Sequence, residues 1–229
     1  FGLDVPIGTD LAAMIDATDA DAVFDVTLPE AHVDVVTTAL GKGCHVLGEK
    51  PMADTMDNAR RMLAAAEQAG CIYAVIQNRR YKPGIRAVRE VIASGALGTV
   101  TTLQSEFFIG AHFGGFRAEM AHVLLLDMAI HTFDAARFIS GTDAESVWAM
   151  DWNPAGSWYR DGASALCAFD MQKGSKYIYH GSWCAEGCNT SWEGQWRIIG
   201  TKGSLYWDGG DTVRLERTDQ AEGFIRQPT

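Results

Sequence analysis

Residues 22–51 read AVFDVTLPEAHVDVVTTALGKGCHVLGEKP, and this stretch decides the fold. AVFDVTL (22–28) is a short apolar, β-branched run of the buried-strand kind. Pro29 opens PEAHVDVVTTALGKG as a helix, with Pro in the first turn and Gly41 and Gly43 at the end. HVLGEKP then reads as a second buried strand with a polar tip. Upstream, Thr9-Asp10 is a helix N-cap before LAAMIDA. Downstream, Thr55 and Asp57 open MDNARRMLAAAEQAG, Gly70 closes it, and CIYAVIQN (71–78) is a third strand. Strand, helix, strand, helix, strand at this spacing predicts right-handed βαβ units on a parallel sheet.

After Asn78 the pattern changes. PGIRAVREVIAS (83–94) reads as a helix with Pro at its start and Gly95 as its stop. GTVTTLQSEFFI (98–109) is a long strand, and residues 121–139 carry apolar side chains at helical spacing. SALCAFDM turns through Lys173-Gly174 into KYIYHGSW, and QWRIIG turns through Lys202-Gly203 into SLYWDG. Such turns between alternating runs are hairpin signals. The expected fold class is therefore α/β followed by α+β. Residues 1–78 form part of a doubly wound domain, and residues 79–229 an α/β domain with an open, mostly antiparallel sheet. The Gly-rich G-x-G-x-x-G turn that opens many such sheets does not occur in the sequence.

Composition narrows the function classes. The chain has 229 residues, 47% hydrophobic and 21% charged, with a mean hydropathy of −0.05. These values exclude disorder and low complexity. Its formal net charge is −10, without a basic run, which argues against nucleic acid or an anionic membrane as partner. No apolar run reaches the ~20 residues of a membrane helix. Five cysteines at irregular spacing (Cys44, Cys71, Cys167, Cys184 and Cys188) do not make a disulfide framework. Reduced thiols and a start without a signal-peptide pattern point to the cytoplasm.

Four groups of residues carry candidate chemistry. Glu49-Lys50-Pro51 ends a parallel strand, the edge where open α/β sheets bind ligands. A lysine there holds a hydroxyl oxygen, or is a solvated strand-end charge. Thr27-Leu28-Pro29-Glu30-Ala31-His32 ends another strand, where a helix start meets a cofactor or phosphate, or is an ordinary cap with His32 on the helix surface. Asp127 and His131 stand four apart in an otherwise apolar helix, on one face. They read as a general-base pair, with Asp134 orienting His131, or as a buried structural hydrogen bond. His122, five before Asp127, would complete a metal set with them, but no fourth ligand pattern is present. Seven tryptophans, among them Trp158, suit sugar faces or core packing alike.

In order, Thr27-Leu28-Pro29-Glu30-Ala31-His32, HVLGEKP to Pro51, Gln77-Asn78-Arg79-Arg80-Tyr81, Gly95-Ala96-Leu97-Gly98 and LLLDMAIHTFD resemble the motifs of the Gfo/Idh/MocA oxidoreductases. The resemblance covers nearly the whole chain. It implies a Rossmann domain, here beginning just before the family's fourth strand, and a C-terminal domain whose open sheet often forms dimers or tetramers. It matches Lys50, Asp127 and His131 to the family's catalytic positions, and implies a cis bond before Pro51. It places Thr27, Pro29, His32, Glu49, Lys50 and Asn78 along the cofactor, NAD or NADP. It puts Arg79 at the cleft and His122 near the substrate; Trp158 is a further candidate substrate contact from the residues themselves, and no metal is assigned. His122 stands where the family usually has a Gly-rich run.

The implied function is hydride transfer between a nicotinamide and a secondary alcohol of a sugar, cyclitol or sugar derivative. His131 would be the base, with Asp127 orienting and Lys50 on the reacting oxygen. Besides a metal-dependent hydrolase or isomerase, which ranks last, two alternatives remain at this stage. One is a redox-neutral lyase or glycosidase that oxidises and re-reduces its substrate on a bound cofactor. The other is a non-catalytic protein that keeps the fold.

Overall fold

The computed structural model describes residues 4–219, 222–225 and 228, and the chain divides into two units, Phe1–Gln77 and Asn78–Thr229. In the first, Asp10 accepts from the Ala13 amide at 3.0 Å and caps α1 (Leu11–Thr18). The strands are β1 (Ala22–Asp25), β2 (His45–Gly48) and β3 (Tyr73–Val75), joined by α2 (His32–Gly41) and α3 (Met56–Ala69). They pair in the order β1-β2-β3, all parallel, with Val23 beside Val46 and Leu47 beside Ala74. Thr55 caps α3, and Gly70 closes it in the left-handed conformation (φ 64°). Val36, Ala39, Leu40, Val46 and Met62 are buried between these elements.

The third strand, expected over 71–78, is confined to Tyr73–Val75, and two further boundaries differ from the sequence expectation. β1 stops at Asp25, and α2 begins at His32 rather than Pro29. Residues 29–31 form a turn instead. The reason is local: Thr27 bonds back to Asp25 through its amide and hydroxyl, which ends the strand early.

In the second unit, Asn78–Tyr81 is a 3₁₀ turn, so Asn78 starts this unit rather than ending the first. Then follow α4 (Pro83–Ala93), β4 (Val100–Phe108), the short α5 (Phe116–Glu119), a π-helical stretch Leu124–Ala129, and α6 (Ile130–Ser140). The remaining strands are β5 (Ala144–Trp152), β6 (Ser164–Met171), β7 (Lys176–Ser182), β8 (Gln195–Gly200), β9 (Gly203–Trp207) and β10 (Val213–Arg217). β5, β10 and α5 were not expected from the sequence, and the helix expected over 121–139 begins later.

The seven strands pair in the order β10-β9-β8-β4-β7-β6-β5. All neighbours are antiparallel except β4 and β7, so the sheet is mixed. One face is core: Cys167, Tyr179, Ser105, Trp196 and Trp207 run across it in register, packed with Ile85, Val88, Leu124, Met128 and Ile139 from the helical segments. The other face carries Trp148, Ala168, Ile178, Gln104, Arg197, Tyr206 and Arg214 in one cross-strand row. A sheet with one apolar face and one mixed face explains the alternation read in β4, β7 and β9.

Candidate active site

In the first unit the candidate residues stand at the C-terminal ends of the parallel strands. Asp25 is buried, and its Oδ1 accepts from the Thr27 amide (3.0 Å) and hydroxyl (2.6 Å). Its Oδ2 is buried with no partner among the described residues. Gly48 lies beside both groups: a Cβ there would be in ordinary contact with the Tyr73 ring (3.5 Å) and the Asp25 Cβ (4.0 Å). Burial, and then the Asp25 charge, push the Tyr73 hydroxyl up to about 12, so it stays a donor, to the Met52 carbonyl at 3.4 Å.

His32 is not on the helix surface. It is 1% exposed, with Nδ1 3.0 Å from the Pro51 carbonyl oxygen and Nε2 3.1 Å from that of Thr27. The ring therefore ties the turn after β1 to the turn after β2, and its nitrogens are both engaged by backbone. The Glu49 amide donates to the Asp25 carbonyl (2.8 Å), and the Glu49 carboxylate receives the Lys50 amide (3.2 Å). Glu49, Lys50 and Pro29 are half-buried, and Thr27 is exposed. The Lys50–Pro51 peptide is cis.

In the second unit Asp127 lies in the π-helical stretch and His131 in the first turn of α6. They are 5% and 8% exposed, so both face inward, as the spacing required. The wider π turn is a frequent mark of functional sites. The Asp127 Oδ2 accepts from Arg117 Nε at 2.7 Å. Arg117 was missed in the sequence, since nothing periodic ties it to a residue ten positions on. Asp134, expected to orient His131, is committed elsewhere: both its oxygens accept from the Arg80 guanidinium, Oδ2 at 2.9 Å.

Arg79, expected toward the substrate, has a guanidinium that is largely buried. It donates to the Trp192 carbonyl, lies 3.3 Å from the Met128 sulfur and pairs with Glu193 at 3.5 Å. Burial pulls it below its ordinary value, and Glu193 opposes this. Trp158 stacks on His112 (centroids 3.6 Å apart) and donates to the Ala111 carbonyl at 2.8 Å.

His122 adopts the left-handed conformation (φ 49°), uncommon for a residue with a side chain. Its Nδ1 donates to Asp151 Oδ2 at 2.6 Å. That bond, opposed by partial burial and reinforced by the Asp151 and Asp161 charges, raises its pKa above the ordinary 6.5. Among the described residues, no three His, Cys, Asp or Glu side chains gather where a metal would sit.

Residues 85–206 match the GFO/IDH/MocA C-terminal domain, and residues 2–77 the oxidoreductase family's NAD-binding Rossmann fold. The chain belongs to the Gfo/Idh/MocA oxidoreductase family. Among its relatives, 1,5-anhydro-D-fructose reductase of Ensifer adhaerens is 29% identical over 205 residues, 86% of this chain and 60% of the relative. D-apiose dehydrogenase of Paraburkholderia graminis is 35% identical over 147 residues, 62% of this chain and 38% of the relative. An oxidoreductase from Agrobacterium radiobacter, solved with NAD+, L-tartaric acid and magnesium, superposes with a TM-score of 0.82 at 28% identity, over 91% of this chain and 61% of that one. The chain thus spans at most about three-fifths of the length of these Gfo/Idh/MocA relatives.

Proposed function

We propose that the protein carrying this chain is an NAD-dependent oxidoreductase acting on a secondary alcohol of a sugar, cyclitol or sugar derivative. The observation that carries the reading is the inward-facing Asp127 and His131 in one helical segment of a Gfo/Idh/MocA domain. The strand ends of the first unit suit the nicotinamide half of a dinucleotide. They offer the unpartnered, buried Asp25 oxygen, the exposed Thr27 and the half-buried Pro29, Glu49 and Lys50. The pyrophosphate-cradling Gly turn is not formed by these residues. Bound nicotinamide supplies the hydride acceptor.

His131 takes the hydroxyl proton as general base. Asp127 accepts a substrate hydroxyl and keeps the imidazole oriented. Lys50 donates to the reacting oxygen and offsets charge developing there. His32 holds the two turns flanking that lysine rather than touching cofactor itself. Asn78 stands at the start of the second unit, where the family's crossover strand ends.

His131→Ala should lower kcat by about 10²–10⁴-fold, the usual weight of a positioned base, with NAD affinity nearly unchanged. Turnover is followed as NADH formation with D-glucose, D-xylose, D-apiose and myo-inositol. Unchanged kcat in the variant would end the assignment, and substrate conversion without net NADH would favour a redox-neutral reaction.

The free thiols suit a reducing compartment such as the cytoplasm. Among the described residues no helix is long and apolar enough to cross a membrane. The mixed face of the sheet is proposed as the surface through which copies of the protein associate. It leaves Trp148, Met150 and Trp152 of the edge strand exposed.

A further inference from the structure

Segment 110–119 runs from the Gly110–Cys184 bridge, through the left-handed Gly114 and Gly115, into α5. Its one Lys or Arg is Arg117. Three groups hold that side chain. Nε donates to Asp127, and the guanidinium carbon lies 5.2 Å over the Phe113 ring and 4.6 Å over the Phe116 ring. A planar fork bonded along one edge and placed over two rings has little rotamer freedom left to lose on binding. Its two Nη groups find no acceptor among the described residues, and the side chain stays 31% exposed against 6% for its partner Asp127.

The surroundings have a definite chemistry. Phe113, Phe116 and Trp192 are 48%, 42% and 47% exposed, unusual for aromatic rings beside an inward-facing carboxylate. Trp192 lies 6.2 Å from Phe113, and its backbone is pinned by Arg79. Aromatic faces suit the C–H face of a ring, and paired N–H donors suit two neighbouring oxygens. The guanidinium charge is already matched by Asp127, so the free edge donates without a net positive charge behind it.

Resting on the reading of Asp127 as part of the active site, we propose that Arg117 positions the Asp127 carboxylate and, through its Nη edge, reads two adjacent hydroxyls of an uncharged sugar or cyclitol whose ring lies against Phe113, Phe116 and Trp192.

Two measurements on the whole protein test this. The first needs no substrate. Arg117→Ala should lower the folding equilibrium constant by about tenfold or more, because it strands a buried carboxylate. The loss should largely vanish in an Asp127→Asn background, and equal losses in both backgrounds would overturn the positioning role. The second uses NAD+ with D-glucose, D-xylose and myo-inositol against D-glucuronate and D-galacturonate. Arg117→Ala should lose about 10–100-fold in kcat/KM, the range of a charge-assisted hydrogen bond. Added guanidinium chloride, at concentrations that leave wild type folded, should restore part of it, and Arg117→Lys should keep the fold yet recover less than the rescued alanine variant. Trp192→Ala should raise KM with kcat kept. Loss without guanidinium rescue, or preference for the uronates, would overturn the recognition role. If wild type turns over none of these probes, the functional reading fails, and the stability comparison still decides whether Arg117 positions Asp127.

Discussion

Both ring nitrogens of His32 end on carbonyl oxygens, one in each of two turns. His32→Ala should therefore take away the N–H donor that ties these two turns together and cost roughly 1–3 kcal/mol by urea denaturation. A loss below a few tenths would show that the ring is only filling space. His122 makes a different case, because Asp151 holds it at the surface. Its folded pKa lies above the unfolded 6.5. The stabilisation it gives is complete below 6.5 and lost as pH rises through the folded value. In Asp151→Asn the His122 titration, followed by NMR, should move down and the pH dependence of stability above 6.5 should flatten. Lys50, Asp127 and His131 could be singled out as candidates in the sequence because strand ends and helical spacing mark such positions. Arg117, the buried Asp25 carboxylate and the burial of His32 could not. Each depends on a turn whose path leaves no periodic trace.

α4 shows what one missing atom group permits at the scale of an element. Gly84, in its first turn, packs directly on Trp207, where a Cβ would come within 2.3 Å of the indole ring. Gly84→Ala should cost about 1–3 kcal/mol through overpacking, read as a lower melting temperature. A variant as stable as wild type would mean that Trp207 moves aside freely. Elements with their own punctuation were legible: Asp10 and Thr55 as caps, Gly70 as a stop, Pro83 at a helix start, Lys173-Gly174 in a hairpin. β5 was not, since most of its residues are exposed and its pattern carries no buried side. The π-helical stretch was not either, because α and π winding differ in hydrogen-bond register and not in side-chain type.

For the whole molecule, composition and element order correctly announced a parallel unit followed by a largely antiparallel one. Strand order lay beyond them, and the parallel β4–β7 pair is its consequence. The mixed sheet face gives a prediction at this scale. Trp148→Glu, on the edge strand, should shift the protein to a smaller species in sedimentation velocity without lowering its melting temperature. An unchanged sedimentation coefficient would leave that face without a role in assembly. A stable interface needs roughly 800 Å² per copy, and a sheet of seven strands offers a surface of that order.

The central strand has one more consequence, for the time course of biosynthesis. Leu103 of β4 pairs with Tyr177 on one side and Ile198 on the other, both far downstream. At about 5–20 residues per second, a ribosome needs on the order of 5–20 s after making Leu103 to deliver the later partner. Through that interval Leu103 and Phe107, both fully buried in the finished fold, lack the β8 side of their sheet. A nascent chain stalled before Gln195 should therefore be bound by chaperones and cut readily within β4, whereas one released past Trp207 should resist.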